Sequence, residues 1–175
     1  EKPYLDFYAK QGVQLVSRDI EDSDRFFKAR ESLYISLGLS PGLLKQKTVI
    51  EFGPGAGHNA LYTDCLNPSR FVLVDGSSDI LAASKEGLMS RGNHSVDREY
   101  ICSLFDDYQS DEVFDLVIAE GCIPNQSNPI HLFKKMQHFV KPGGSMIFTT
   151  VSAASWLSEI IRRLVKNKAV PVSMP

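Results

Sequence analysis

From Lys47 onward, short apolar runs of strand length alternate with stretches of helical periodicity, an order that few architectures satisfy. The runs are Thr48–Phe52, Arg70–Val74, Glu99–Cys102, Phe114–Ala119 and Ser145–Val151. They are rich in Val, Ile and Phe and mostly do not alternate with polar residues, which predicts strands buried on both faces of a sheet. The expected fold is α/β, with a doubly wound, mainly parallel sheet and crossover helices.

The intervening segments carry helix signals. One helix is expected from near Gly57 to Asn67-Pro68, and a second from about Ser78 to Arg91 with Gly92 as its stop. A third has Asn128 as N-cap and Pro129 in its first turn, with Ile130, Phe133, Met136 and Val140 on one face, and ends at Pro142-Gly143-Gly144. A last helix, Ala154–Lys166, places Leu157, Ile160, Ile161 and Leu164 inward and leaves Arg162, Arg163 and Lys166 in solvent. Residues 1–46 read as a helical N-terminal cap. Within it Ser23 caps a helix whose Phe26, Phe27, Leu33, Tyr34 and Leu37 form an apolar stripe closed by Gly38, followed by a turn at Ser40-Pro41. The core is assigned to residues 47–168, and residues 169–175 read as a tail, cut short rather than a natural end.

Bulk properties narrow the function. A chain of 175 residues suffices for one domain with a full core. Its net charge of −2 gives no electrostatic footprint for nucleic acid or anionic lipid, so neither is expected as a partner. No apolar run approaches the roughly 20 residues that span a bilayer, and the first residues lack the pattern of a signal peptide. Cys65, Cys102 and Cys122 form no metal-type pair. Cys102 and Cys122 lie in apolar stretches, as buried thiols of a reducing compartment would, and a cytoplasmic location is expected.

The chemistry concentrates at the end of the first strand, where Glu51-Phe52-Gly53-Pro54-Gly55-Ala56-Gly57 leads directly into a helix. Glycines in such a turn allow a tight bend and close approach of a ligand to the backbone. A dinucleotide fingerprint would need a small residue where His58 stands, so the pattern is an acid followed by Gly-x-Gly-x-Gly. The second strand ends in Val74-Asp75, and a carboxylate at that tip can accept hydrogen bonds from both hydroxyls of a ribose.

Together these segments resemble the class I, Rossmann-like S-adenosylmethionine-dependent methyltransferases. Glu51–Gly57 is similar to their first motif and Leu73-Val74-Asp75-Gly76 to their ribose-binding acid. Phe114-Asp115-Leu116-Val117-Ile118 resembles the fourth-strand motif, and Val140-Lys141-Pro142-Gly143-Gly144 the turn into the fifth strand. The resemblance covers roughly Lys47–Val151. It implies S-adenosyl-L-methionine as cofactor and no metal. Gly53, Gly55 and Gly57 would line its methionine and ribose part, with Glu51 orienting the amino-acid end and Asp75 holding the ribose. Gly76 and Ser77 would flank the adenine, Leu104, Phe105 and Asp106 would close its other side, and Glu120 would face the methionine end. Many relatives have an acid immediately after the third strand, where this chain has Ser103. Nothing after Val151 reads as the family's last two strands, which suggests an incomplete chain.

Methyl transfer needs a base only when the acceptor must lose a proton. Relatives acting on acidic hydroxyls often carry a histidine after the fourth strand, but this chain has Gly121-Cys122-Ile123-Pro124-Asn125-Gln126. His58 and His131 are the nearest candidates, each more simply read as a packed or surface residue. The leading reading is methyl transfer to a small-molecule acceptor through oxygen or nitrogen, of a glycan or secondary-metabolite type, with Tyr4, Phe7 and Tyr8 covering the acceptor. A non-catalytic module on the same fold is the first alternative. A nicotinamide-dependent oxidoreductase is the second, opposed by His58.

Overall fold

The computed structural model describes residues 22–150 together with 152, 154, 155, 157, 158 and 161. Tyr4, Phe7, Tyr8, Arg162, Arg163, Leu164, Lys166 and the tail lie outside the described residues, as does Ile160. The strands are β1 (Thr48–Phe52), β2 (Arg70–Asp75), β3 (Asp97–Cys102), β4 (Phe114–Ala119) and β5 (Val140–Phe148). They form one sheet in the order β3-β2-β1-β4-β5, with every pairing parallel. The helices are α1 (Ser23–Ser36), α2 (His58–Cys65), α3 (Ser78–Arg91) and α4 (Pro129–Gln137). Short 3-10 turns cover Pro41–Leu44 and Ile123–Asn125.

The non-alternating strands are explained by two apolar layers. On one face Val49, Phe71, Leu73, Leu116 and Ile118 pack with Tyr34 of α1, Leu61 of α2 and Leu81 and Leu88 of α3. On the other, Ile50, Phe52, Val72, Val74 and Val117 pack with Leu132 and Met136 of α4 and with Phe105, Tyr108 and Phe139. Successive strand residues therefore face different helices, and both must be apolar. Burial of side chains such as Phe71 and Leu73, both fully covered, contributes about 1.5–3 kcal/mol each. The strand order reverses between β1 and β4, which opens a crevice at the carboxyl ends of the strands.

Several expectations need correction. Asp22, not Ser23, caps α1, its side chain accepting from the Arg25 N–H at 3.0 Å. Leu33 and Leu37 are exposed, and the buried residues of α1 are Arg30 and Tyr34. On α4 Leu132 and Met136 are buried and Phe133 packs partly buried against the same core, while Ile130 is 70% exposed. Val140 belongs to β5, which starts earlier than expected. Its pairing with β4 shifts between Phe114↔Val140 and Leu116↔Ser145, so Pro142-Gly143-Gly144 forms an irregularity inside the strand rather than a turn before it. Glycine is needed there: Gly143 has φ +79, and a Cβ at Gly144 would lie 2.9–3.0 Å from three backbone oxygens. Strand β3 starts at Asp97, and Cys102 at its end is exposed rather than buried, because β3 lies at the edge of the sheet. Leu157 and Ile161 lie in helical residues but are exposed, not turned inward.

Candidate functional site

The turn after β1 is built by glycine conformation. Gly53, Gly55 and Gly57 have φ of 72°, 57° and 80°, all in the left-handed region that other residues enter at a cost. The Gly53 N–H donates to the Val74 carbonyl at 2.9 Å, which keeps the turn tied to β2 as it leaves the sheet. A Cβ on Gly53 would come within 3.1 Å of Cys122 Cβ and 3.4 Å of the Phe105 ring. At Gly57, the N-cap of α2, it would meet Ser84 of α3 at 2.9 Å, with two Ser84 backbone atoms at 3.1 and 3.2 Å. Gly53 thus shapes the floor of the crevice, whereas Gly57 lets α2 begin hard against α3.

Two acids stand at the tips of neighbouring strands. Glu51 is 2% exposed, and its Oε2 has no hydrogen-bond partner. Burial, then the charge of Glu120, pushes its carboxyl up to about 8, with Arg30 pulling the other way. Asp75 is 8% exposed and accepts from the Ser77 N–H at 2.9 Å. Burial pushes it up to about 6, against the backbone donors of Ser77 and Gly76. Ser77 is in turn the N-cap of α3.

Glu120, just past β4, is held from two helices. Arg30 of α1 donates from Nη1 to Oε2 at 2.9 Å and from Nη2 to Oε1 at 2.6 Å, and Asn59 of α2 donates to Oε2 at 2.9 Å. The Arg30 guanidinium lies 5.2 Å from the centre of the Tyr34 ring, and the Tyr34 hydroxyl bonds Thr63 at 2.9 Å. Arg30 Nε and Asn59 Oδ1 are buried without partners. Cys122 links the two tips, since its thiol, pushed up to about 12 chiefly by burial, feels the charges of both Glu51 and Asp75.

The structure therefore brings Glu51, Gly53, Asp75 and Glu120 to one end of the sheet. Phe105 is turned into the core, edge-on to Phe52 with ring centres 5.8 Å apart, and Asp106 is exposed. Leu104 offers its backbone carbonyl within a turn closed by Asp107 and Tyr108. His58 is the first residue of α2, and the His131 side chain is exposed at the start of α4. Arg30, Asn59 and Thr63 were not singled out from sequence. The available signal was Arg30 four residues before Tyr34, a charge placed on the face of an otherwise apolar stripe. A shallow cleft of about 430 Å³ lies elsewhere, beside β3, where Arg70 is paired with Glu99 and Glu112. Among the described residues no group of side chains could hold a metal ion, and no helix is long and apolar enough to cross a membrane.

Residues 24–173 match a family model described as a methyltransferase domain. The chain belongs to this methyltransferase family. It is 29% identical over 154 residues to the malonyl-[acyl-carrier protein] O-methyltransferase of Marinomonas sp. (strain MWYL1). That alignment covers 85% of this chain and 54% of the relative, so the chain spans about half the length of the curated protein it matches. Its fold is similar to coclaurine N-methyltransferase bound to N-methylheliamine and SAH, at 17% identity and a TM-score of 0.57, covering 70% of this chain and 35% of that one. It is also similar to an S-adenosylmethionine-dependent methyltransferase from Clostridium acetobutylicum, at 18% identity and a TM-score of 0.56, covering 69% and 49% respectively.

SAH is the ligand of one of these structural neighbours, and S-adenosylmethionine is the cofactor expected from the sequence. The residues fit it. A buried carboxyl with an unpartnered oxygen suits an ammonium, and a second acid at the next strand tip suits a diol.

Proposed function

We propose that this domain transfers a methyl group from S-adenosylmethionine to a small acceptor that arrives with its nucleophile already deprotonated, a carboxylate foremost. The observation that carries the cofactor half is Glu51, buried with its Oε2 unpartnered at the tip of β1, one strand away from Asp75. Glu51 would accept from the ammonium of the amino-acid end, and Asp75 from the ribose hydroxyls. Gly53 and Gly55 would let the backbone approach the ligand, Gly76 and Ser77 would border the adenine, and Leu104 would offer backbone contacts opposite.

When bound, the cofactor supplies an activated methyl on a sulfonium. The protein's part is to align the acceptor and exclude water. The thiol of Cys122, held protonated, and the hydroxyl of Tyr34, likewise pushed up to about 12, offer no base at neutral pH. An acceptor that needs no deprotonation matches such a site. The similarity to an O-methyltransferase of malonyl-[acyl-carrier protein] supports oxygen, and specifically a carboxylate, as the acceptor atom. The test is transfer of a labelled methyl group to a panel of free carboxylates, acyl-carrier thioesters bearing a terminal carboxylate, phenols and amines. Ester formation on a carboxylate supports the proposal, and labelling confined to phenols or amines overturns its acceptor half.

A further inference from the structure

Buried cations are held by partners they satisfy, so a buried arginine with an unused nitrogen calls for an explanation. Arg30 is 6% exposed, yet its Nε is unpartnered while both terminal nitrogens grip one carboxylate. That carboxylate, Glu120, comes two residues after Ile118, the β4 register partner of Glu51, so the two acids leave neighbouring parallel strands side by side. We propose that Arg30 is a positioning residue of the cofactor site: it clamps Glu120 from α1, so that Glu51 alone keeps an unpartnered carboxyl oxygen for the cofactor's ammonium. The proposal rests on the reading that Glu51 meets the amino-acid end.

Geometry and charge agree. Asn59 holds the same Glu120 oxygen as Arg30 Nη1, so α1, α2 and the exit of β4 meet on one group. Tyr34, four residues after Arg30, fixes the helix from below through Thr63. With Glu120 neutralised by Arg30, the cluster carries no net charge while Glu51 is protonated. An arriving ammonium makes Glu51 release its proton to solvent and creates the ion pair. The site thereby selects a cation, and α1 becomes part of the binding machinery rather than a cover.

Other titratable groups lie on the elements that meet at the cluster or beside it: Tyr34 on α1, His58 and Tyr62 on α2, Asp75 at the tip of β2 and Cys122 after β4. The test must separate them from the carboxyl pair. The affinity for S-adenosylhomocysteine is measured by calorimetry from about pH 5.5 to about pH 9 on the intact protein, where affinity rises as Glu51 loses its proton. Arg30→Met removes the cation that favours ionised Glu51, so the midpoint moves to higher pH and affinity at neutral pH falls by about tenfold or more. Glu120→Gln removes the like charge, so the midpoint moves to lower pH. Arg30→Lys recovers part of the parent behaviour, and the opposite shifts persist in a His58→Asn background. A merely structural role for Arg30 would change stability without moving either midpoint.

Unchanged midpoints, or shifts of the same sign in both variants, would overturn the proposal. If circular dichroism shows that Arg30→Met does not fold, Glu120→Gln decides: a downward midpoint supports the clamp and an unmoved one overturns it. A parent protein that binds no S-adenosylhomocysteine at any pH would instead overturn the cofactor reading itself, and the clamp with it.

Discussion

Two buried acid–arginine clusters stand at different places in this molecule, and they are finished differently. Asp64, at the end of α2, is fully buried and uses both oxygens: Arg98 Nε donates to Oδ1 at 2.6 Å, Arg98 Nη2 to Oδ2 at 2.8 Å, and the Asn93 N–H to Oδ2 at 2.6 Å. The cluster of Glu51, Glu120, Arg30 and Asn59 leaves an oxygen of Glu51, the Nε of Arg30 and the Oδ1 of Asn59 without partners. An ion pair whose groups are all satisfied ties α2 to β3. One left open at the carboxyl ends of the strands is the one to which our proposal assigns the cofactor.

The sharpest way to break that contrast is to remove the acid from the satisfied cluster. Asp64→Ala leaves the Arg98 guanidinium, 10% exposed, without its counter-charge and should cost about 3–5 kcal/mol of stability. Denaturant unfolding measures it. Calorimetry on the folded protein should find cofactor affinity unchanged, and a loss of affinity without a loss of stability would reverse the roles assigned to the two clusters.

The glycine turn contains the same division. Gly57→Ala should destabilise by about 1–3 kcal/mol, because the residue has φ +80 and its new Cβ meets Ser84 backbone. Thermal unfolding checks this, and a variant as stable as the parent would show that α3 yields to the methyl group.

A smaller effect is read in the pH dependence that Glu51 gives to stability. The native state raises Glu51 from 4.5 to about 8, so between those values it keeps a proton that the unfolded chain has lost. The stability this protonated, buried carboxyl allows is complete below about 4.5 and is lost as pH rises toward about 8. Glu51→Gln removes the titration, so its stability should fall less steeply over that window than the parent's. Parallel pH profiles of unfolding free energy for the two proteins would contradict the burial of an open carboxyl at this place.

How much of this was legible in the sequence follows from the range of the forces involved. Strands β1, β2 and β4 are legible because both of their faces are covered, which leaves unbroken apolar runs. Edge strand β3 has a half-exposed pattern, and it starts two residues before the apolar run does. The early start of β5 was hidden because an irregularity at Pro142-Gly143-Gly144 looks like a turn in one dimension. In the site, Glu51, Gly53 and Asp75 announce themselves through local spacing along strand-turn-helix segments. Arg30 does not, because its meaning depends on Glu120 ninety residues away, and nothing local records that contact. The expectation that Leu33, Leu37 and Ile130 face inward failed for the same reason: helical periodicity gives an apolar face, and tertiary contacts decide which of its residues are covered.

The central claim is that the open acids at the strand tips form the cofactor site, and calorimetric titration with S-adenosylhomocysteine of the parent protein and Asp75→Ala tests it most directly. Asp75 is nearly buried beside the backbone donors of Ser77 and Gly76, and on the proposed reading its loss removes the acceptor for two hydroxyls. The expected result is saturable binding to the parent and an affinity at least about tenfold weaker in the variant, on the order of 1.5–3 kcal/mol for a charge-assisted pair of hydrogen bonds. Equal affinity in the two proteins, with circular dichroism showing both folded, would contradict the account.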